Sequence, residues 1–336
     1  MPPAKAPVIS WYRTLLDRAT FARLHQRSDW AGWAQTLGYL GILVLTGTLV
    51  VLAWYRLAWP WVLAALFVHG TVYAFQINAV HELTHGTVFR TKGLNPAFAR
   101  VFAFLGWINH EVFQTSHARH HRYTLHAPDD LEVVLPIRVL RKNFFTAGFI
   151  NLKELGRIIP ETIRIARGRF TTPWEQALFP AGEVAQQRAP RRWAWTLLVG
   201  HGMIVIVAAL TGWWWLPLIT TLAPFYGGWL FFLCNNTQHI GLQDSVTDFR
   251  LCCRTFTVNP LVQFLYWHMN FHIEHHMYAA VPCYRLGALH RAIRHDLAPC
   301  PAGLAATWRE IAAIQRRQET DPTYQYVAPL PTPLSP

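Results

Sequence analysis

Apolar residues fall in long uncharged runs along this chain. Residues 36–54 (TLGYLGILVLTGTLVVLAW) carry no charge, and neither do residues 59–80 (WPWVLAALFVHGTVYAFQINAV). Each approaches or exceeds the ~20 apolar residues that a helix needs to cross a bilayer. The pattern therefore predicts a pair of transmembrane helices joined by a tight external turn at Tyr55-Arg56-Leu57. A second pair is predicted over roughly 194–210 and 213–235, separated only by Thr211-Gly212. Residues 98–107 are apolar but too few to span, so they are expected to lie in the interface or to re-enter the bilayer. The expected fold is all-α: a multi-pass membrane protein of about four transmembrane helices. A cytoplasmic segment is expected over 1–35, the membrane domain over 36–300 and a cytoplasmic tail over 301–336.

Composition agrees with a membrane setting. The 336 residues are 52% hydrophobic and 14% charged, against roughly 25% charged in soluble domains. Lys and Arg set the orientation. Arg13, Arg18, Arg23 and Arg27 precede the first run, and a basic stretch from Arg138 to Arg192 separates the two predicted pairs. Both segments are expected to be cytoplasmic, with both termini inside. This bias explains the net charge of +12, and no basic stripe interleaved with aromatics points to nucleic acid. Trp213-Trp214-Trp215 reads as an interfacial aromatic belt. The start, MPPAKAPVISWYR, lacks a signal-peptide pattern, so the first transmembrane helix is expected to direct insertion. The cysteines Cys234, Cys252, Cys253, Cys283 and Cys300 show no C-x-x-C spacing, which suits reduced thiols facing a cytosol. The closing PLPTPLSP is expected to be disordered.

The 17 histidines change the picture. HELTH holds His81 and His85, SHARHHRYT holds His117, His120 and His121, and NFHIEHHMY holds His272, His275 and His276. On a helix, positions i, i+3 and i+4 share one face, so each H-x-x-H-H would aim three imidazoles at one point. Each cluster follows an apolar run on the side assigned to the cytoplasm, so one topology gathers all three in a helical cap. HELTH alone fits H-E-x-x-H, the zinc site of metallopeptidases with Glu82 as general base. A catalytic zinc needs three protein ligands, which would leave six histidines unexplained. Imidazole also suits iron, and this many rings can serve two ions. The count predicts a dinuclear site.

The trio HELTH, HARHH and HIEHH on a four-span hydrophobic chain resembles the membrane fatty acid desaturase and hydroxylase superfamily, the histidine-box di-iron enzymes. The resemblance covers residues from about 40 to 295 and includes VPCYRLGALH after the last box. It implies a further histidine after the last transmembrane helix with an asparagine one turn before it, which NNTQH supplies as His239 and Asn235. The implied iron ligands are His81, His85, His117, His120, His121, His239, His272, His275 and His276, with Asn235 as a water-mediated or indirect partner. Three residues separate the histidines of the first box, as in many acyl-lipid desaturases and carotenoid oxygenases, where the acyl-CoA branch has four.

The resemblance implies an oxygen-dependent oxidoreductase with two iron ions that introduces a double bond into an alkyl or acyl chain of a lipid or lipid-like substrate. Removing hydrogen from an unactivated carbon exceeds what any side chain can do, so the metal centre must supply the oxidant. Ketolation or hydroxylation of an alkyl or carotenoid substrate, or desaturation of a small amino-acid-derived metabolite, stays open; so, in another class, does a membrane zinc peptidase using His81, Glu82 and His85. No H-P-G-G, G-x-G-x-x-G or ferredoxin cysteine run is present, so electrons are expected from a separate ferredoxin- or cytochrome b5-type carrier with its reductase. Glu82, Glu111, Glu274, Asp129 and Asp130 are the acids near the boxes; Glu82 and Glu274, lying inside boxes, are the favoured acceptors for ligand N–H groups. Trp107, Tyr266 and Trp267 are expected in core packing more than in a substrate tunnel. His69 and His201 are expected as hydrogen-bonded helix contacts, and His25, His290 and His295 as solvated side chains.

Overall fold

The computed structural model describes residues 8–331, so PLPTPLSP lies largely outside the described residues. The described chain is helical, and its extended pairing is confined to isolated bridges such as Thr255 with Phe271. Among the described residues three helices are long and apolar enough to cross a membrane. Helix α1 (Asp29–Arg56) starts at Ser28, whose hydroxyl accepts the Ala31 N–H, and carries Asp29 in its first turn, where a carboxylate suits the helix dipole. Its 28 residues reach about 42 Å at 1.5 Å each, more than a hydrocarbon core requires. After a two-residue break, Trp59-Pro60 opens α2 (Trp59–Tyr73), proline being pre-set for a helix start. A bend at Ala74-Phe75 leads into α3 (Gln76–Thr84), which completes the second candidate span and carries the first box.

Helix α4 (Leu94–Leu105) is the apolar segment too short to span; it packs on α3 and buries Phe102 and Ala103. Helix α5 (His110–Tyr123) carries the second box, and α6 (Leu152–Ala166) packs against α7 (Val184–Thr211), the third candidate span. Helix α7 ends at Gly212 in the left-handed conformation that favours glycine (φ 76°). Leu45, Leu49 and Leu52 on α1 and Val199, Met203 and Ile206 on α7 are exposed. In a bilayer this apolar surface faces lipid, whereas on a soluble monomer it would be an oversized patch.

The run at 213–235 departs from the single helix its composition predicts. It forms a short helix at Trp215–Ile219, a 3-10 turn at Ala223–Phe225 and then α8 (Trp229–Asn235). Pro217, Pro224 and Gly227-Gly228 divide it, and hydropathy does not register those breaks. The broken backbone is buried in protein: Gly227 N–H donates to Phe149 O at 2.9 Å and Asn151 N–H to Phe225 O at 2.7 Å. That is the condition under which irregular backbone is tolerated at membrane depth.

Gly227 has φ 70°, and a Cβ there would sit 2.7 Å from Phe67 O and 2.8 Å from Thr71 N on α2. Gly70 meets the same contact from the other side, its Cβ position lying 2.3 Å from Tyr226 O. Gly227→Ala is therefore expected to cost about 3 kcal/mol through left-handed strain plus overpacking, read as a lower thermal midpoint in detergent. An unchanged midpoint would show that this approach is not tight.

The two ends of the bundle differ. Trp215 Nε1 donates to the Tyr55 hydroxyl at 2.9 Å, so the turns after α1 and α7 share one end. At the opposite end Asp29 accepts from the Thr91 N–H (2.8 Å) and hydroxyl (2.9 Å), just past the first box. The remaining helices gather there: α9 (His272–Met277) with the third box, α10 (Leu286–Ile293), and α11 (Gly303–Thr320), whose Trp308 donates to Leu233 O at 2.9 Å.

Candidate metal centre

Helix geometry aims the boxes. Asn109 caps α5 through the Val112 N–H, and His117, His120 and His121 occupy one face of its last two turns. The chain then turns at Leu125, held at φ 59°. Asp130 fixes this turn, accepting from the Leu125 N–H (2.8 Å), the Glu132 N–H (2.9 Å) and His120 Nδ1 (2.7 Å). The third box follows two left-handed residues, Trp267 (φ 50°) and His268 (φ 60°), which turn the chain shortly before α9 begins at His272.

Two groups of side chains result. His81, His85, His117, His121 and His275 each offer a ring nitrogen, and these atoms lie within 4.8 Å of one another. His239, Cys253, His272 and His276 form the second group by the same distance. The groups adjoin, with the His121 and His276 rings 4.3 Å apart. Of the nine histidines expected as ligands, eight fall in these groups. His120 falls in neither set, but its ring is 5.0 Å from His276 and 5.4 Å from His239, beside the second. Asn235 ends α8, one turn before His239, and is half-buried.

Their chemistry fits a cation. Burial, then the neighbouring rings, holds His117, His121, His272, His275 and His276 well below the ordinary imidazole range. His239 is lowered to about 3, chiefly by burial. Neutral rings keep a lone pair free, the form that binds metal. Tautomers follow from the acceptors outside each group. His117 Nδ1 donates to Glu132 Oε1 (2.9 Å), His81 Nδ1 to Glu82 Oε1 (2.9 Å) and His239 Nδ1 to the Cys252 carbonyl (2.8 Å), leaving each Nε2 as an acceptor facing inward. Yet inward nitrogens nearly touch, with His117 and His121 Nε2 3.0 Å apart and His239 and His272 Nε2 3.0 Å apart. His85 Nε2 and His276 Nε2 are buried without a partner. A positive ion in each group would satisfy these lone pairs. His120 differs: burial pulls it down, but the hydrogen bond to Asp130 and the Glu132 and Asp130 charges outweigh that and raise it.

The supporting acids are only partly those favoured from the sequence. Glu82 is buried, bonds His81 and lies 3.3 Å from His275 Nδ1. Glu274 touches no ring of either group; it accepts from Thr255 Oγ1 and His290 Nδ1, both at 2.5 Å, and so braces the backbone under the third box. His290 is thereby the hydrogen-bond partner of a buried carboxylate, correcting its expectation as a solvated side chain. Asp130 holds His120. Glu132, which also accepts from Ser116, was not foreseen because no periodicity links it to a box. Asp129 pairs with Arg119 instead, and Glu111 lies 3.7 Å from His110. His69 is bonded to Thr46 and Ile219 O, and His201 to Thr221 and Phe104 O, as expected for helix contacts.

A mostly apolar cavity of about 560 Å³ adjoins the first group. Phe113, stacked on His117 at 5.2 Å, lines it together with Gln76, Trp107, Phe231 and Glu132. Trp107 therefore does border a cavity, while Tyr266 and Trp267 are fully buried in the core. A second cavity of about 480 Å³ reaches His85 and is rimmed by Arg27, Lys92 and Arg100.

A search of curated proteins finds no match for the chain. A family model described as fatty acid desaturase matches residues 57–308, which include every boxed histidine, His239 and two of the three candidate spans. An all-helical fold, apolar spans and histidine clusters at their ends accompany a match over well more than half of the sequence, and the chain belongs to the fatty acid desaturase family.

Proposed function

We propose that this protein is an oxygen-dependent di-iron desaturase acting on an alkyl or acyl chain of a lipid or lipid-like substrate. The observation that carries the reading is the convergence of eight histidines into two adjoining buried groups beside an apolar cavity. His81, His85, His117, His121 and His275 would hold one iron; His239, His272 and His276, with His120 beside them, would hold the other. Bound iron would supply the oxidising power, drawn from O2, that breaks an unactivated C–H bond.

The protein's own part is positioning. Glu82 and Glu132 accept ligand N–H groups and hold the rings in the metal-binding tautomer. Phe113 and Trp107 would guide an apolar chain along the cavity and exclude water from the reacting carbon. Double-bond formation requires two hydrogens to leave neighbouring carbons, so the cavity must hold both toward the first group without admitting solvent. A zinc peptidase using Glu82 as base is disfavoured because that carboxylate is buried against two ligand rings.

Electrons would come from a separate ferredoxin- or cytochrome b5-type carrier, for which the basic rim of Arg27, Lys92 and Arg100 near His85 offers an approach. The positive-inside bias would put both termini and the histidine boxes on the cytoplasmic side. The test is metal analysis of detergent-purified protein, followed by oxygen uptake with reductant and lipid substrates. About two irons per chain and substrate-dependent uptake are expected. One zinc, with no iron taken up on reconstitution, would overturn the reading.

A further inference from the structure

The two metal-ligand groups differ in the charge around them. The first has Glu82 against His81 and His275 and Glu132 against His117. In the second, His239 gives its N–H to the neutral Cys252 carbonyl, His276 Nδ1 meets the Thr124 hydroxyl at 3.3 Å, and His272 Nδ1 has no partner. Among the described residues the nearby carboxylates do not bond the rings of this group: Asp130 acts through His120, and Glu274 is taken up by Thr255 and His290. A divalent cation held here by neutral imidazoles alone would leave its charge poorly compensated in a dry interior, at considerable cost.

The fourth member of the second group is Cys253, whose sulfur lies within 4.8 Å of the ligand nitrogens of His239, His272 and His276. It is 2% exposed and free of any disulfide. Its backbone is fixed on both sides. The Cys253 N–H donates to Phe249 O at 2.9 Å and the Arg254 N–H to Gln238 O at 2.9 Å, next to His239, while the Arg254 guanidinium donates to Thr237 O at 2.6 Å and Ile240 O at 3.1 Å. The partnerless Nε2 of His276, together with the His239 and His272 Nε2 atoms brought to 3.0 Å of each other, independently marks a place for an ion in the same group.

We propose that Cys253 is a ligand of the second metal, binding through its sulfur as a thiolate, so that one site is all-nitrogen and the other is nitrogen with sulfur. The proposal rests on the dinuclear reading above. On binding, the S–H bond breaks and the metal–sulfur bond forms; the proton goes to solvent and no electron is transferred. The thiolate cancels one positive charge where no carboxylate touches the group directly, and its softness strengthens the hold on a transition metal.

The test strips detergent-purified protein of metal under nitrogen and reloads it with Co2+ alone. Thiolate-bound cobalt gives an intense near-ultraviolet charge-transfer band that imidazole ligation lacks. The native protein is expected to show the band, Cys253→Ser to lose it entirely while the all-nitrogen site still binds cobalt, and Cys252→Ser to keep it. Cys253→Ala replaces the serine variant should serine in this apolar setting impair folding. A native protein carrying about two cobalts without the band, or a band that survives in Cys253→Ser, would overturn the proposal. Failure of native protein to bind any cobalt would remove the dinuclear reading and this proposal together.

Discussion

His272→Ala is expected to lower iron from about two to about one per chain and to reduce substrate-dependent oxygen uptake at least ~100-fold, beyond the 10–100-fold typical of losing a supporting partner. His272 is buried at 2% exposure, with its Nε2 3.0 Å from that of His239. Removing the ring opens one position in the second group and leaves the first intact. The same variant separates the two chemistries that HELTH allows. A peptidase built on His81, Glu82 and His85 would keep its activity, since His272 belongs to the other group. Full activity with unchanged metal content would therefore sink the di-iron reading. Metal content must be read beside activity, because loss of activity alone would also follow from misfolding.

Local rules carried much of this architecture, and failed where the chain returns from a distance. Uncharged runs located α1 and the α2–α3 pair because lipid-facing helices need apolar side chains nearly all round. The run at 213–235 is equally apolar, yet Pro217, Pro224 and Gly227 break it, and Gly227 is needed for contact with Gly70 on another helix. Box spacing placed the histidines because i, i+3 and i+4 share a face whatever the tertiary fold. The same rule shows why Glu274 is not a ligand's partner: two residues after His272, it lies about 200° round the helix, toward Thr255 and His290. Glu132 and Asp130 reach the rings only after the turn at Leu125, and Cys253 arrives from a segment with no box at all.

Glu132→Gln is expected to weaken metal retention by 10–100-fold while leaving the metal-free protein's thermal midpoint nearly unchanged. Glutamine is close in shape: its carbonyl can still accept from His117 Nδ1, while its NH2 can turn toward the Ser116 oxygen. What disappears is the negative charge that makes His117 a stronger donor to the cation. Burial pushes the Glu132 carboxyl up, with His120 and the Ser116 hydrogen bond opposing it, so a cation nearby would help to keep it ionised. Glu274→Gln should show the opposite pattern. Glu274 is fully buried, holds Thr255 and His290 rather than a ligand ring, and its loss should lower the thermal midpoint by several degrees, about 1–3 kcal/mol for an impaired buried polar network. Chelator competition and thermal unfolding on both variants decide the matter. Equal metal loss in the two would mean that the carboxylates act through general stability, whereas loss confined to Glu132→Gln assigns the tuning of the first group to the carboxylate that touches its ring.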